Sequence, residues 1–355
     1  MARFCALMAF YDNGSRFRRR NLKEAVLGLL GMPDIDVVVA EQYPEKYSVA
    51  ASLNNVTYVP CSVMASDPEG HRWFCKTELL NRAMKATEGK EYDYYMMVDA
   101  DTLLSMDSFD SIRNGVSLLD SGEASILFPF DDVIYMNECD TNRMIDGGQL
   151  LPGTKDHGAE IFRQTGLCNV FKKSTWERVG GFDEAFTRWG AEDDAFLTKC
   201  KRLVGPSKRL YGTVYHMFHP KTDTVAYRES SAYRMNRKRC ACIRRMSDED
   251  LEQYSRGLVK LDTLVEKYDS LGRLAVSMIW NCTPLTTLTI DTTLYDLGKL
   301  EDMTFTKLFD TVAATDGKWY VPTFFEKYMG GFGSLRGLSD GQRKEIEEYL
   351  AKCSS

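Results

Sequence analysis

Three short stretches of the chain carry side chains able to hold a metal ion or to move a proton. The first is Asp99-Ala100-Asp101, which follows the apolar run Tyr94 to Val98. That run reads as a buried strand, so two carboxylates one residue apart stand at a strand's end. Oxygen ligands of this kind suit Mg²⁺ or Mn²⁺, and such an ion draws phosphate oxygens to itself. Acidic pairs also cap strands without binding anything. The second stretch runs from Gly180-Gly181-Phe182-Asp183-Glu184-Ala185-Phe186 to Trp189-Gly190-Ala191-Glu192-Asp193-Asp194. Its three acids open a helix, whose positive end favours their ionised form. An ionised carboxylate there accepts the proton of an attacking hydroxyl, which is general-base work. A solvated acidic helix cap would look the same. The third is Tyr215-His216-Met217-Phe218-His219-Pro220, which holds two of the chain's 4 histidines. Either histidine could join Asp101 around a metal. A core histidine beside a loop is the plainer reading of His219. A zinc site joining His216 and His219 to Cys240 and Cys242 competes, although one residue between the cysteines is tight for zinc.

These stretches need a scaffold, and the first half of the chain supplies its rhythm. Phe4 to Phe10 is a strand-like run that ends in the turn cluster Tyr11-Asp12-Asn13-Gly14-Ser15. Asn21 to Leu30 has helical spacing and stops at Gly31 and Pro33. Ile35 to Ala40 is a β-branched run of the kind buried on both faces of a parallel sheet. Val56 to Val59 is another strand candidate, and Trp73 to Thr87 reads as a helix before the Tyr94 strand. Alternating strand and helix predicts an α/β fold, a Rossmann-like and mostly parallel central sheet flanked by helices. Ligands of such sheets gather at the strands' carboxyl ends, where Asp99 and Asp101 stand. From Asp131 to Gln164 periodicity fades, which predicts a long loop, functional or disordered, that either covers the acceptor with Gly147-Gly148 as a hinge or is structural. Cys168 to Phe171 is strand-like, and Ser174 to Val179 and Asp193 to Val204 are helical. After Arg245 the composition shifts to a mainly helical tail. Ser247 caps one helix, whose spacing runs from Leu251 to Leu274, and Ser339-Asp340 opens the last. Thr283 to Thr293 has no clear pattern. Two domains are expected, 1–245 and 246–355.

Composition removes some function classes. At 355 residues, with 44% hydrophobic and 27% charged residues, the chain can bury a large core. A net charge of −6 argues against a protein built to coat nucleic acid, despite basic runs at Arg16 to Arg20 and Arg234 to Arg245. No signal peptide and no apolar run of bilayer length is visible, so a cytoplasmic protein is expected. The 10 cysteines lack a framework spacing and read mostly as small core residues in a reducing compartment.

With these motifs in place the chain resembles the GT-A glycosyltransferases, notably the β-1,4-galactosyltransferases, the chondroitin polymerases and related family 2 enzymes. The resemblance spans residues 3 to 245, and the GGFDE…WGAEDD block is its most specific part. It implies a hexosyltransferase using a nucleotide-sugar donor, UDP-linked by preference, with Mn²⁺ or Mg²⁺ as cofactor. Asp101 would ligate the metal, Asp99 would touch the metal or the donor ribose, and His216 would be the third ligand, with His219 as the alternative. Asp193 would be the catalytic base. Glu192 and Trp189 would line the donor and acceptor sugars, with Gly190 and Asp194 on the acceptor side. Asn13 to Arg16, Glu41, Gln42, Lys76, Asn81 and Ala100 would lie along the donor. Lys76 stands where an arginine is commoner, and Ala191 where a glycine is frequent.

Rival readings share some of these features. A nucleotidyltransferase would use the same sheet and acids but has no need of the WGAEDD block. A non-catalytic carbohydrate or nucleic-acid binding protein would rely on Arg234, Arg237, Lys238, Arg239, Arg244 and Arg245. That run reads equally as a solvated helix face, a diphosphate clamp or a holder of an anionic acceptor. The acceptor could be a glycan, a small molecule or a modified nucleic-acid base, the last as in virus-encoded enzymes. The sequence leaves the oligomeric state open.

Overall fold

A computed structural model describes residues 2–42, 48–62, 73–147, 164–220 and 230–268. In chain order it begins with β1 (Phe4–Tyr11), α1 (Arg16–Leu30), β2 (Ile35–Gln42), α2 (Val49–Ser52), β3 (Val56–Cys61) and α3 (Lys76–Lys85). It continues with β4 (Tyr94–Val98), β5 (Thr102–Leu104), α4 (Met106–Gly115), α5 (Ser117–Asp120), β6 (Ile126–Phe128) and β7 (Asp132–Tyr135). Then come α6 (Glu138–Ile145), β8 (Cys168–Phe171), α7 (Lys173–Val179), α8 (Glu192–Leu203), β9 (Ser207–Arg209) and β10 (Thr213–His216). Helices α9 (Ser231–Arg245) and α10 (Asp248–Ser255) follow.

The main sheet has the order β3-β2-β1-β4-β8-β6-β9. Strands β3, β2, β1 and β4 run parallel, and β8 is antiparallel to both β4 and β6. Parallel strands need helical crossovers that cover both faces, so their side chains must be apolar on both sides. The residues comply: Phe4 to Phe10 and Tyr94 to Val98 are buried throughout, as is Ile35 to Gln42 apart from Asp36. The mostly parallel α/β sheet expected from the alternation is therefore present.

A second, smaller sheet has the order β5-β10-β7. Its strands β5 and β10 are antiparallel, with His216 opposite Thr102. This pairing decides where the candidate metal ligands lie.

Two expectations change. The stretch after Asp131 is not one long loop: β7 and α6 occupy its first part, with the Asn137 side chain capping α6 through Asp140 N. Of the expected hinge, Gly147 ends this helix with φ 79°, and Gly148 lies outside the described residues. Helical spacing from Leu251 to Leu274 hides a break at Gly257, where φ is 72°, with helix resuming at 261–268. Residues 269–274, 283–293 and 339–350 lie outside the described residues.

Contacts divide the chain into two compact units, Met1–Asn236 and a second that begins at Arg237. In the second, Ser247 caps α10 by accepting from Asp250 N, and Tyr268 ties the same corner by donating to Asp250. Among the described residues no helix is long and apolar enough to cross a membrane. No disulfide joins the described cysteines, and all but Cys139 are buried.

Candidate functional site

Asp101 stands between β4 and β5, and the antiparallel β5–β10 pairing carries the third motif to it. Met217 N donates to the Asp101 carbonyl at 2.8 Å, which locks the register. The Asp101 carboxylate then lies 3.8 Å from His216 Nε2 and 3.2 Å from His219 Nε2. One atom from each residue falls within 4.8 Å of the others, the spacing of a shared metal ion, and no cysteine belongs to this group. Burial by itself would raise the Asp101 carboxyl, but the two imidazoles outweigh it and hold the group at about 2. The carboxylate is thus ionised at any working pH. His219 Nδ1 lies 3.1 Å from the Pro220 carbonyl, and a proton held there leaves Nε2 to ligate. One hard oxygen and two imidazole nitrogens suit a divalent first-row ion. Both histidines converge, rather than one serving as alternative to the other.

Behind this group lies an acid cluster built on a lysine. Lys76, the first residue of α3, is half-buried, and its ammonium lies 2.8 Å from Asp99 and 2.9 Å from Asp193. Burial would favour the neutral amine, yet Asp193 and Asp99 raise its pKa well above the ordinary lysine value. Asp193 sits in the first turn of α8. Burial raises its carboxyl, Lys76 opposes that shift, and Asp99 adds to it. The neighbouring Glu192 is raised by burial and by Asp193, and its Oε2 accepts from Gly190 N at 2.7 Å. Asp99, expected at the metal or the donor ribose, lies outside the Asp101–His216–His219 group. Lys76 and the Leu167 N–H, 3.2 Å away, take its two oxygens, because β8 begins directly beside the end of β4.

The turn before α8 is strained. Arg188, Gly190 and Ala191 all have positive φ, at 62°, 119° and 68°. A Cβ at Gly190 would come 2.7 Å from the Tyr233 ring, so a side chain there is excluded on both counts. Trp189 is half exposed and stacks on Tyr233 with ring centroids 6.0 Å apart. Asp194 accepts from Thr165 Oγ1 at 2.8 Å.

The remaining expected residues separate into two groups. Glu41 is buried at the carboxyl end of β2, where its Oε2 accepts from the Ser48 and Tyr58 hydroxyls while Oε1 is buried with no partner among the described residues. Burial raises its carboxyl, and the two hydroxyls oppose that shift. Ala100 lies between the two aspartates. By contrast, Gln42 spends both ends of its amide on the backbone of Trp73 and Cys75. Asn81 likewise bonds the Phe182 backbone twice and Glu184 once, so it braces the Gly-Gly-Phe turn. Asn13 and Arg16 are exposed at the start of α1, and Arg16 reaches Glu138 at 3.6 Å.

Four further contributors were not expected. Arg18 acts electrostatically on both Asp101 and His219. It sits in a first helical turn that holds no acid, against the usual preference of helix N-termini, and that mismatch is visible in the sequence. Asn21 and Thr141 hold the backbone between the histidines, Asn21 donating to Phe218 O at 3.1 Å and Thr141 accepting from Phe218 N at 2.9 Å. Gly166 packs against Asp193, and a Cβ there would fall 2.7 Å from its Oδ2. Nothing in the sequence marks these last three, since their roles depend on long-range pairing.

Comparison with known proteins bears on the same region. Residues 153–221 match the family model described as the N-terminal domain of galactosyltransferase. No curated protein sequence matches the chain. Among solved structures, residues 1–349 of S. aureus TarS are similar at 12% identity and TM-score 0.45, over 98% of this chain and 89% of that one. The same TarS fragment in complex with UDP-GlcNAc has TM-score 0.47 at 12% identity, with the same coverage. The catalytic domain of Drosophila β1,4-galactosyltransferase 7, in complex with xylobiose, has TM-score 0.39 and 15% identity over 67% of this chain and 80% of that one. At these values the likenesses say nothing about chemistry. The matched segment carries Glu192, Asp193, His216 and His219, and it is laid on a mostly parallel sheet with the paired acids at its carboxyl edge. Over residues 153–221, then, the chain is similar to the N-terminal domain of galactosyltransferase, and that segment supplies four of the side chains described above.

Proposed function

We propose that the chain is a metal-dependent, inverting transferase that moves a hexose or N-acetylhexosamine from a nucleoside-diphosphate sugar, UDP-linked by preference, to an acceptor hydroxyl. The observation that carries this reading is the adjacency of two differently tuned groups. Asp101, His216 and His219 form a set fit for a divalent cation, and Lys76 bridges Asp99, two residues before Asp101 along the chain, to Asp193.

In this reading Asp193 takes the proton from the acceptor hydroxyl as its oxygen bonds the anomeric carbon. The bond from that carbon to the diphosphate breaks with its electron pair leaving on the diphosphate, and the centre inverts. Lys76 keeps Asp193 ionised and oriented in a half-buried setting. Arg18 and the N-terminus of α1 face the departing charge. Glu41 supports a uracil base, because its buried Oε1, with no partner among the described residues, is an acceptor awaiting an N–H donor at the ligand edge of the sheet. Trp189 and Gly190 lie on the acceptor side with Asp194. A Mn²⁺ or Mg²⁺ ion held by Asp101, His216 and His219 would act as a Lewis acid toward the diphosphate.

The test is a screen of nucleotide sugars with Mn²⁺, reading release of the nucleoside diphosphate, followed by Asp193→Asn on the best donor. The expected result is turnover of a UDP-sugar that falls about 10²–10⁴-fold in the variant, the usual worth of a positioned base, with binding of UDP unchanged. Release from no donor would overturn the transferase chemistry, and wild-type turnover by Asp193→Asn would overturn the base.

A further inference from the structure

Asp193 must be ionised and aimed, and the chain leaves little room in which to aim it. Lys76 holds one carboxylate oxygen from one side. From the other side comes the backbone of residues 164–167, which is fastened at each step. Arg209 donates to Gln164 O at 2.7 Å, and Thr165 Oγ1 donates to Asp194 at 2.8 Å. Leu167 exchanges two bonds with Asp99, its N–H to the carboxylate at 3.2 Å and its carbonyl from Asp99 N at 2.9 Å.

That second fastening has a cost. Leu167 has φ 67°, a left-handed conformation that a bulky side chain rarely adopts. Strain of this kind persists where surrounding contacts over-determine the backbone, and it clusters at functional sites. Its result here is the position of Gly166. A Cβ on that residue would meet Asp193 Oδ2 at 2.7 Å and Asp99 Oδ2 at 3.6 Å, with Asp193 Cγ at 3.6 Å. The three nearest atoms it would meet are all side-chain carboxyl atoms of the acid cluster.

We infer that Gly166 is a positioning residue for the base: the empty space at its α-carbon is what allows the Asp193 carboxylate to sit on Lys76. This rests on the reading of Asp193 as base given above. The chemistry requires it because a carboxylate shifted by about an ångström loses its line to the attacking hydroxyl, and misplacement on that scale can cost ~10²-fold in rate. The conflict created by a methyl group is with the movable end of one side chain. Gly166→Ala therefore displaces the base while leaving the fold intact.

The experiment uses the full chain with Mn²⁺ and the UDP-sugar that it hydrolyses fastest, and compares four proteins: wild type, Gly166→Ala, Asp193→Asn and the double variant. Gly166→Ala is expected to lower kcat for UDP release about 10–100-fold, with the KM for donor, the calorimetric Kd for UDP and the unfolding temperature unchanged. In the Asp193→Asn background the same alanine is expected to cost nothing further, because a residue acting only through Asp193 has nothing left to act on. A general structural role would lower the rate in both backgrounds, and that result would overturn the inference. So would wild-type kcat in Gly166→Ala, or a protein that unfolds at assay temperature, since the methyl would then meet more than Asp193. If Asp193→Asn itself turns over normally, the base assignment has failed, an outcome visible without the alanine variants.

Discussion

Lys76 sets the sign of the chemistry around it. An ammonium 2.9 Å from the Asp193 carboxylate favours its charged form and opposes the upward shift that burial gives it. Replacing it with the uncharged Lys76→Met removes the opposing influence on Asp193, whose pKa then rises further. A base is lost when it is protonated, so the acid limb of the kcat–pH profile moves to higher pH. A shift of that limb by a unit or more is expected, roughly 1.4 kcal/mol of lost carboxylate stabilisation per unit. Measuring kcat for UDP release from pH 5 to 9 checks it, and a limb that stays put would mean that Lys76 serves another group. Lys76→Arg keeps the charge but not the shape, because a planar fork replaces a compact ammonium. That variant is expected to retain the wild-type limb at reduced kcat.

The elements place these residues through pairings with different visibility in the sequence. Strands β1, β2 and β4 were legible because burial on both faces demands unbroken apolar runs. The helix α8 was legible from its three leading acids. The small sheet was not: β5 is Thr102–Leu104, β7 is Asp132–Tyr135, and three or four half-buried residues leave no period to read. Yet β5 and β10 bring His216 to Asp101. The start of α1 was read at Asn21 instead of Arg16, since arginines in a first turn give no apolar spacing. Two predictions belong at this level. Thr141→Val removes the acceptor of the Phe218 N–H, and Asn21→Ala removes a donor to Phe218 O, loosening the backbone between the two histidines. Supporting contacts of this kind are worth about 10–100-fold in metal affinity. The Mn²⁺ concentration for half-maximal turnover is expected to rise by that order, and unchanged Mn²⁺ dependence in both would show that the histidines are held without them. Ala191→Gly concerns the turn before α8. At φ 68° an alanine bears a left-handed cost of roughly 1–2 kcal/mol, and glycine returns up to about 1 of that through the unfolded chain. A net gain of up to ~1 kcal/mol is expected in urea unfolding, which accounts physically for a glycine being frequent at this position among the proteins the block resembles.

At the scale of the whole chain, the three motifs meet because the end of β4 in the main sheet, the start of α8 and the β5–β10 pairing of the small sheet come together. Cation and diphosphate are then neighbours, and each should strengthen the binding of the other. Asp101 is held at about 2 by two imidazoles, so the set offers an ionised oxygen and two nitrogens at neutral pH. Falling pH protonates His219 the more readily because Asp101 raises its pKa. Metal must compete with that proton, so affinity for Mn²⁺ weakens as pH falls. The linkage is measurable as stability. A ligand at a hundred times its Kd stabilises the folded state by about 2.7 kcal/mol, or roughly 5–10 °C for a domain of 150–250 residues. UDP with Mn²⁺ is expected to raise the unfolding temperature of the full chain by this order, and by more than the separate shifts summed. Excess EDTA is expected to remove most of the UDP shift, and Asp101→Ala to remove the Mn²⁺ shift altogether. Additive shifts, or a UDP shift that survives EDTA, would place cation and nucleotide at independent sites. In that case Arg18 and the first turn of α1 would have to hold the diphosphate without a metal.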